Sequence, residues 1–302
     1  MCNFAPVVLF TYKRLSITKK VIDSLRANEE CFKTDLIVYS DGPKRDSDNC
    51  EVEGVRRYLE GLTGFKSTVF IYRDKNLGLA QSFIQGITET LARYEKAIFL
   101  EDDNLLSKHF LSFMNKALDQ YKDNEKVICV SGYSWPLWPA LKRPYFLRGA
   151  ETWSMGTWRR GWKHFCADGN KLLSELQSKG LVKKFRSDGF GFYEMLQRQI
   201  RGEVDSWGVR WVASAYVNDM YCLYPHKPLC VSIGYGKDSV HCSSYSLLYR
   251  KPTDLANEPI AEFPDDVKEK IEVTLAIRLM NKMLPIRNRL FRVYNRPVSF
   301  LP

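Results

Sequence analysis

The sequence predicts an α/β protein whose first half is a largely parallel sheet flanked by helices. Three observations predict it. Short apolar runs alternate with segments of helical spacing from about residue 6 to residue 120, the pattern of successive βαβ units. Turn signals punctuate the runs. Charged and polar residues gather after the apolar runs, at the carboxyl ends of the strands, where open α/β sheets bind ligands.

In order, "PVVLFTY" reads as a buried strand, and "ITKKVIDSLRAN" as a helix carrying Ile17, Val21, Ile22 and Leu25 on one face. "DLIVYS" is a second strand closed by the turn Asp41-Gly42-Pro43. "VEGVRRYLEGL" is a helix, "STVFIYR" a third strand, "AQSFIQGITETLARY" a helix and "KAIFL" a fourth strand. The second half is less regular. "WSMGTWRRGWKHF" mixes three Trp with basic residues, and "VDSWGVRWVASAYV" starts as a loop and continues as a helix. "MYCLYP" and "PLCVSIGYG" are late extended segments. "DDVKEKIEVTLAIRLMNKML" is a helix from residue 265, interrupted at Pro285.

At 302 residues, 45% hydrophobic and 26% charged, the chain can bury a substantial core and is not of disordered composition. A net charge of +10 favours anionic partners such as nucleotide phosphates or an acidic membrane surface. The basic residues are spread along most of the chain, so nucleic acid is not an expected partner. None of the eight cysteines forms a CxxC pair, which argues against zinc-ribbon and thioredoxin-type sites. "APVVLFTYKR" reads as a strand and turn rather than a signal segment, and no apolar run reaches the ~20 residues of a membrane span. The expectation is a cytoplasmic protein with reduced thiols.

The fourth strand runs straight into Glu101, Asp102 and Asp103. Three adjacent carboxylates repel one another, and burying them without partners costs on the order of several kcal/mol. Either they form a solvated turn that caps a helix starting near Ser107, or a divalent cation (Mn2+ or Mg2+) gathers them with a diphosphate. Thr11, Tyr12, Lys13 and Arg14 follow the first strand, Asp41 the second, and "RDKNLGLAQS" the third. Asp41 suits a base or ribose hydroxyl, or simply a turn; Asn76 and Gly78 suit a nucleotide, or an N-cap region. Four such ends on one sheet edge make a site.

"VVLFTYKR", "YSDGP", "RDKNLGLAQSF" and "IFLEDDNLLSKHFLSFMN", in that order, resemble the nucleotide-sugar domain of GT-A glycosyltransferases. The likeness is to family 2-like bacterial sugar transferases and to the N-acetylglucosaminyltransferases that elaborate N-glycans. It covers residues 5 to 120 and continues more loosely through "WSMGTWRRGW", "VDSWGVRW" and "PLCVSIGYGKDSVHC" to about residue 245. It implies a GT-A fold: a Rossmann-like, mixed, mostly parallel sheet flanked by helices, with a helical C-terminal extension. The implied domain spans residues 1–250, with a nucleotide-sugar half over 1–125 and an acceptor half over 126–250. A basic extension over 251–302 follows.

The resemblance further implies a metal-dependent, inverting hexosyl- or N-acetylhexosaminyltransferase. A nucleoside diphosphate sugar, first of all a UDP-sugar, would donate to a hydroxyl of a glycan or lipid-linked glycan in bacterial surface-polysaccharide or lipopolysaccharide assembly. Carried over by position, Thr11 and Arg14 would line the nucleotide pocket, Asp41 would contact the base, and Asn76 and Gly78 would border ribose and base. Glu101 and Asp102 would contact sugar or ribose, and Asp103 would hold the metal. The family's DXD stands here as Glu-Asp-Asp, which leaves the role of Glu101 open. Asp205 in "VDSWGVRW" would be the general base, with Glu203 next in line; Ser206 stands where a second acid is expected. The competing reading of Asp205 is a plain helix N-cap. Trp153 and Trp207, with Trp158 and Trp211, would form either an acceptor floor or core, and Lys237 and His241 either diphosphate contacts or structural ones.

The C-terminal stretch interleaves Arg278, Lys282, Arg287, Arg289, Arg292 and Arg296 with apolar residues. It fits a peripheral contact with the inner face of the cytoplasmic membrane, and equally a helix docked on the domain or on a second subunit of a homodimer. Two rival functions remain. A sugar-phosphate nucleotidyltransferase shares the sheet and acids but is expected to have a Gly-rich loop after strand one, whereas "TYKRLSITKK" has the basic residues without glycines. A non-catalytic nucleotide- or glycan-binding module would keep the fold without needing Asp103 or Asp205.

Overall fold

Ten strands and ten α-helices follow one another in the computed structural model, which describes residues 4–137, 140–186, 190–234 and 250–294, with side chains to residue 283. The first half comprises β1 (Val7–Thr11), α1 (Leu15–Arg26), β2 (Asp35–Ser40), α2 (Asn49–Glu60), β3 (Ser67–Tyr72), α3 (Leu79–Arg93), β4 (Lys96–Glu101), β5 (Asn104–Leu106) and α4 (Phe110–Gln120). The second comprises β6 (Val127–Ser131), β7 (Tyr145–Arg148), β8 (Met155–Trp158), α5 (Arg159–Trp162), α6 (Gly169–Ser178), α7 (Val182–Arg186), α8 (Phe192–Ile200) and α9 (Trp207–Val217). β9 (Tyr221–Tyr224), β10 (Cys230–Ser232) and α10 (Ile271–Tyr294) complete the described strands and α-helices.

Eight strands form one sheet in the order β3-β2-β1-β4-β8-β6-β9-β7, and β5 pairs with β10 in a second, small one. β1 lies parallel between β2 and β4, and β2 lies parallel to β3. β8 runs antiparallel to both β4 and β6, and β7 antiparallel to β9. The class is the mixed, mostly parallel α/β architecture that the sequence predicts. The chain runs outward from β1 to β2 and β3, then crosses back through α3 to β4 on the other side of β1, so the strand order reverses between β1 and β4. Such a reversal, at the carboxyl ends of β1 and β4, is where open α/β sheets bind ligands.

Both faces of the sheet are covered, which is why its strands are continuous apolar runs and not alternating ones. Val7, Leu9, Leu36, Val38, Ile98 and Leu100 face one core with α1, α2 and α4. Val8, Phe10, Ile37, Tyr39, Ala97 and Phe99 face the other, with Phe83 and Ile87 of α3 and Trp207 and Trp211 of α9. α3 lies so close that a Cβ on Gly86 would come within 2.6 Å of the Phe10 ring. The region after residue 250 joins the same cores. Ala256 and Ile260 enter the first, and Val273 and Ile277 of α10 the second.

Several expectations are corrected. α4 begins at Phe110 and is separated from the acidic triplet by β5, so the triplet does not cap it. α10 starts at Ile271, because the preceding residues run alongside β7: Lys270 N–H donates to the Phe146 carbonyl (3.1 Å) and Glu269 bridges Phe146. The helix also runs past Pro285 to Tyr294. A proline inside a helix withholds one backbone bond, a cost that a long helix with a docked face tolerates. Lys237, His241 and Arg296 lie outside the described residues.

Candidate active site

The carboxyl ends of β1 and β4 meet at one arginine. Arg14, in the turn after β1, has a side chain only 18% exposed. Its Nη2 donates to Asp102 Oδ1 and, at 3.2 Å, to Asp103 Oδ2, while Nε reaches Asp102 Oδ2 at 3.4 Å. Asp103 Oδ1 accepts from Asn104 Nδ2 (3.1 Å), and Asn104 Oδ1 accepts from the Glu101 N–H (3.1 Å), so the amide side chain fixes the turn between β4 and β5. Gly234, just after β10, closes the cluster from above. A Cβ there would lie 2.0 Å from Asp103 Oδ2 and 2.8 Å from Arg14 Nη1, so only glycine fits.

The electrostatics of this cluster are unbalanced. Three carboxyl groups face one guanidinium. Burial pushes the Glu101 carboxyl up to about 8, and the Asp103 and Asp102 charges add to it against the pull of Arg14. Burial also raises Asp102, although Arg14 opposes it by charge and hydrogen bond. With Glu101 protonated near neutral pH, the group carries a net charge close to −1.

Asp41 organises the neighbouring loop. Its Oδ1 accepts from the N–H groups of Gly42 (3.1 Å) and Leu77 (3.0 Å), and its Oδ2 from those of Leu77 and Gly78 (3.1 Å each). Asn76 Nδ2 donates to the Gly42 carbonyl (2.8 Å), and Gly78 takes φ 75° where α3 begins. These three residues tie the end of β2 to the start of α3. Thr11 is buried, its hydroxyl donating to the Tyr39 carbonyl (3.4 Å).

The second half corrects part of the sequence reading. The cap of α9 is Ser206, whose Oγ accepts from the Val209 N–H (3.3 Å); Asp205 is not the cap. Asp205 has a side chain 70% exposed and paired with Arg210 Nη2 at 3.1 Å. Glu203 bridges Arg198 and Arg201. Trp207, expected on an acceptor surface, is core: it is 5% exposed and stacks on Phe83 at 5.0 Å. Trp158 and Trp211 are likewise buried. Trp153 keeps partial exposure and meets Tyr133 edge-on at 5.1 Å.

Some residues of the site escaped sequence reasoning. Glu151, in the loop between β7 and β8, accepts from the N–H groups of Thr152 (2.7 Å) and Trp153 (3.3 Å) and from the Tyr224 hydroxyl (3.3 Å). Burial raises its pKa against these bonds. Burial is the main reason that the Cys230 thiol is raised, and the Asp103, Glu101 and Glu151 charges add to it. Arg56 gathers the Ser40, Asp41 and Arg73 carbonyls, bracing the ends of β2 and β3. A lone Gly after Ile233 or a Glu-Thr pair in a loop carries no spacing signal that would have found Gly234 or Glu151.

Among the described residues, no group of three or more His, Cys, Asp or Glu side chains is arranged to hold a metal ion by itself. The residues fit the other mode of binding, in which one or two carboxylates hold a hard cation and phosphate oxygens and water complete its shell. Asp103 is the more accessible of the two Arg14-bound aspartates, at 14% against 8%.

No protein-family model matches this chain, and no curated protein sequence matches it. Solved structures with partial similarity include the mannosyltransferase PcManGT from Pyrobaculum calidifontis, in complex with GDP-Man and Mn2+. It is 14% identical with a TM-score of 0.36, over 57% of this chain and 46% of that one. TarS of S. aureus is 12% identical with a TM-score of 0.37, over 53% of this chain and 29% of that one. This chain thus spans less than half the length of either.

Proposed function

We propose that the chain is a metal-dependent glycosyltransferase of GT-A type, which binds a nucleoside diphosphate sugar at the carboxyl ends of β1, β2 and β4. One observation carries the reading: an acidic triplet with a surplus of negative charge, shared with a single arginine, at the point where the strand order reverses. Asp103, with Asp102 beside it, would hold a divalent cation, and Arg14 would turn some of its donors to the diphosphate. The loop that Asp41 and Asn76 fasten would border the base and ribose. A bound cation would offset the charge of the departing diphosphate.

In an inverting transfer a base removes the acceptor proton while the hydroxyl oxygen attacks the anomeric carbon and the diphosphate leaves. The sequence resemblance favours Asp205 for that base. Glu151 is the rival that its burial and raised pKa support, while Glu203 is already bound to two arginines. Trp153 is the remaining candidate for stacking on an acceptor sugar. The surface-glycan acceptor rests on the sequence resemblance.

The test is a thermal-shift panel of nucleoside diphosphates with and without Mn2+, on the wild type and Asp103→Ala. Selective stabilisation by one nucleotide, enhanced by Mn2+ in the wild type only, is expected. No stabilisation by any nucleotide, or full Mn2+ enhancement in Asp103→Ala, defeats the reading.

A further inference from the structure

Helix α10 is docked along one side and bare along another. Val273, Thr274 and Ile277 are buried against the domain. Ile271, Leu275, Leu279 and Met283 recur at every fourth position and are 65%, 50%, 63% and 55% exposed. At 3.6 residues per turn they form one continuous stripe. Arg278 and Lys282 follow Leu275 and Leu279 by three positions, so the two cations neighbour the stripe. From residue 273 to residue 302 the sequence has six basic residues (Arg278, Lys282, Arg287, Arg289, Arg292 and Arg296) and no Asp or Glu.

We propose that this face of α10 binds an anionic lipid surface. Charge selects the occupant. Glu272 is the one acid of α10, so a second copy of the chain would set the same helix, five cations to one acid, against it, whereas a polyanion with no apolar layer would leave the Leu and Met stripe in water. A bilayer with acidic headgroups accepts both parts at once, the stripe at the acyl boundary and the cations among the headgroups. No helix among the described residues is long and apolar enough to cross a membrane, so the contact is one of lying on the surface. The proposal does not depend on the chemistry assigned to the acidic cluster.

The experiment is sedimentation of the full chain with phosphatidylcholine vesicles, with and without phosphatidylglycerol, across a salt series. Salt-sensitive binding only to the anionic vesicles is expected. Leu275→Gln/Leu279→Gln and Lys282→Glu are each expected to weaken it about tenfold or more, since a cation near the surface contributes about a fivefold factor and its reversal acts twice. All three side chains are exposed, so melting temperatures should hold, and the single Lys282→Glu gives the same reading if the double variant does not fold. Equal binding to both vesicle types, no binding to the anionic ones, or binding unchanged in these variants overturns the proposal. So does a concentration-dependent dimer that Leu275→Gln/Leu279→Gln abolishes, which would give the face to a second copy.

Discussion

Glu101→Gln isolates one proton. In the folded protein the Glu101 carboxyl titrates at about 8, raised from an ordinary 4.5 by burial and by the Asp103 and Asp102 charges against Arg14. Between those two values the folded state holds a proton that the unfolded state has released. Unfolding then releases that proton, and stability falls as pH rises. The contribution is fully present below about 4.5, declines toward 8 and is flat beyond. At 1.36 kcal/mol per pH step, the interval corresponds to roughly 5 kcal/mol as an upper limit. Relaxation and water entry around a partly buried carboxylate reduce this to about 2–3 kcal/mol. Gln is the neutral isostere and carries no such dependence.

The assay is urea denaturation of both proteins at pH 5, 7 and 8.5 with metal removed by chelator. Groups that titrate alike in both cancel in the difference, so the quantity to follow is the variant's stability minus the wild type's. It should be near zero at pH 5 and rise to about 2–3 kcal/mol in favour of Gln at pH 8.5. A difference that does not change with pH refutes the claim that burial and like charge hold a proton on Glu101, and with it the account of how the triplet is tolerated.

Asp41→Ala removes the acceptor for the Gly42, Leu77 and Gly78 N–H groups and should cost about 2–3 kcal/mol in urea melts, with weaker nucleoside diphosphate binding in the same protein. Asp41→Asn should recover part of both, and an Ala variant as stable as wild type would remove the loop-fastening role. Asp205→Asn and Glu151→Gln, compared by initial transfer rate at saturating donor, separate the two base candidates. The true base should lose roughly a hundredfold or more, the other little, and near wild-type rates in both folded variants would exclude both.

The strands of the first half were legible because β1, β2 and β4 are buried on two faces, and such strands are uninterrupted apolar runs bounded by turns. The more exposed edge strand β3 shows by its β-branched and aromatic residues. "DLIVYS" matches β2 residue for residue, and β1, β3 and β4 end within a residue of their expected bounds. α6 was missed although its signals are present: Asp168 caps it, accepting from the Asn170 and Lys171 N–H groups, Leu172 and Leu176 share a face, and Gly180 at φ 65° follows its end. β5 and β10 have three residues each, too few to show a period. Trp207 and Trp211 are spaced i, i+4 on a helix, which is core spacing, and the structure puts both in the core. Gly234 meets Asp103 across 131 positions of chain, and Glu151 meets Tyr224 through the pairing of β7 with β9. Such contacts belong to topology, and no local pattern encodes them.

A strand can therefore end in three acids without a metal because each acid is managed differently. Asp102 and Asp103 share Arg14, Glu101 keeps a proton, and Gly234 packs against the pair. This arrangement constrains how a ligand enters. A divalent cation arriving alone meets Arg14 already seated between the two aspartates and is repelled by it. A diphosphate arriving alone is attracted by Arg14 but repelled by the carboxylates. Arriving together, the cation takes the carboxylates and the diphosphate takes the guanidinium, so every charge gains an opposite partner. Binding of the two should consequently be cooperative, and by linkage the factor by which Mn2+ tightens the nucleotide must equal the factor by which the nucleotide tightens Mn2+. Independent binding, with a coupling factor near one, would mean that Arg14 stays with the aspartates when the site is filled and that the diphosphate is held elsewhere.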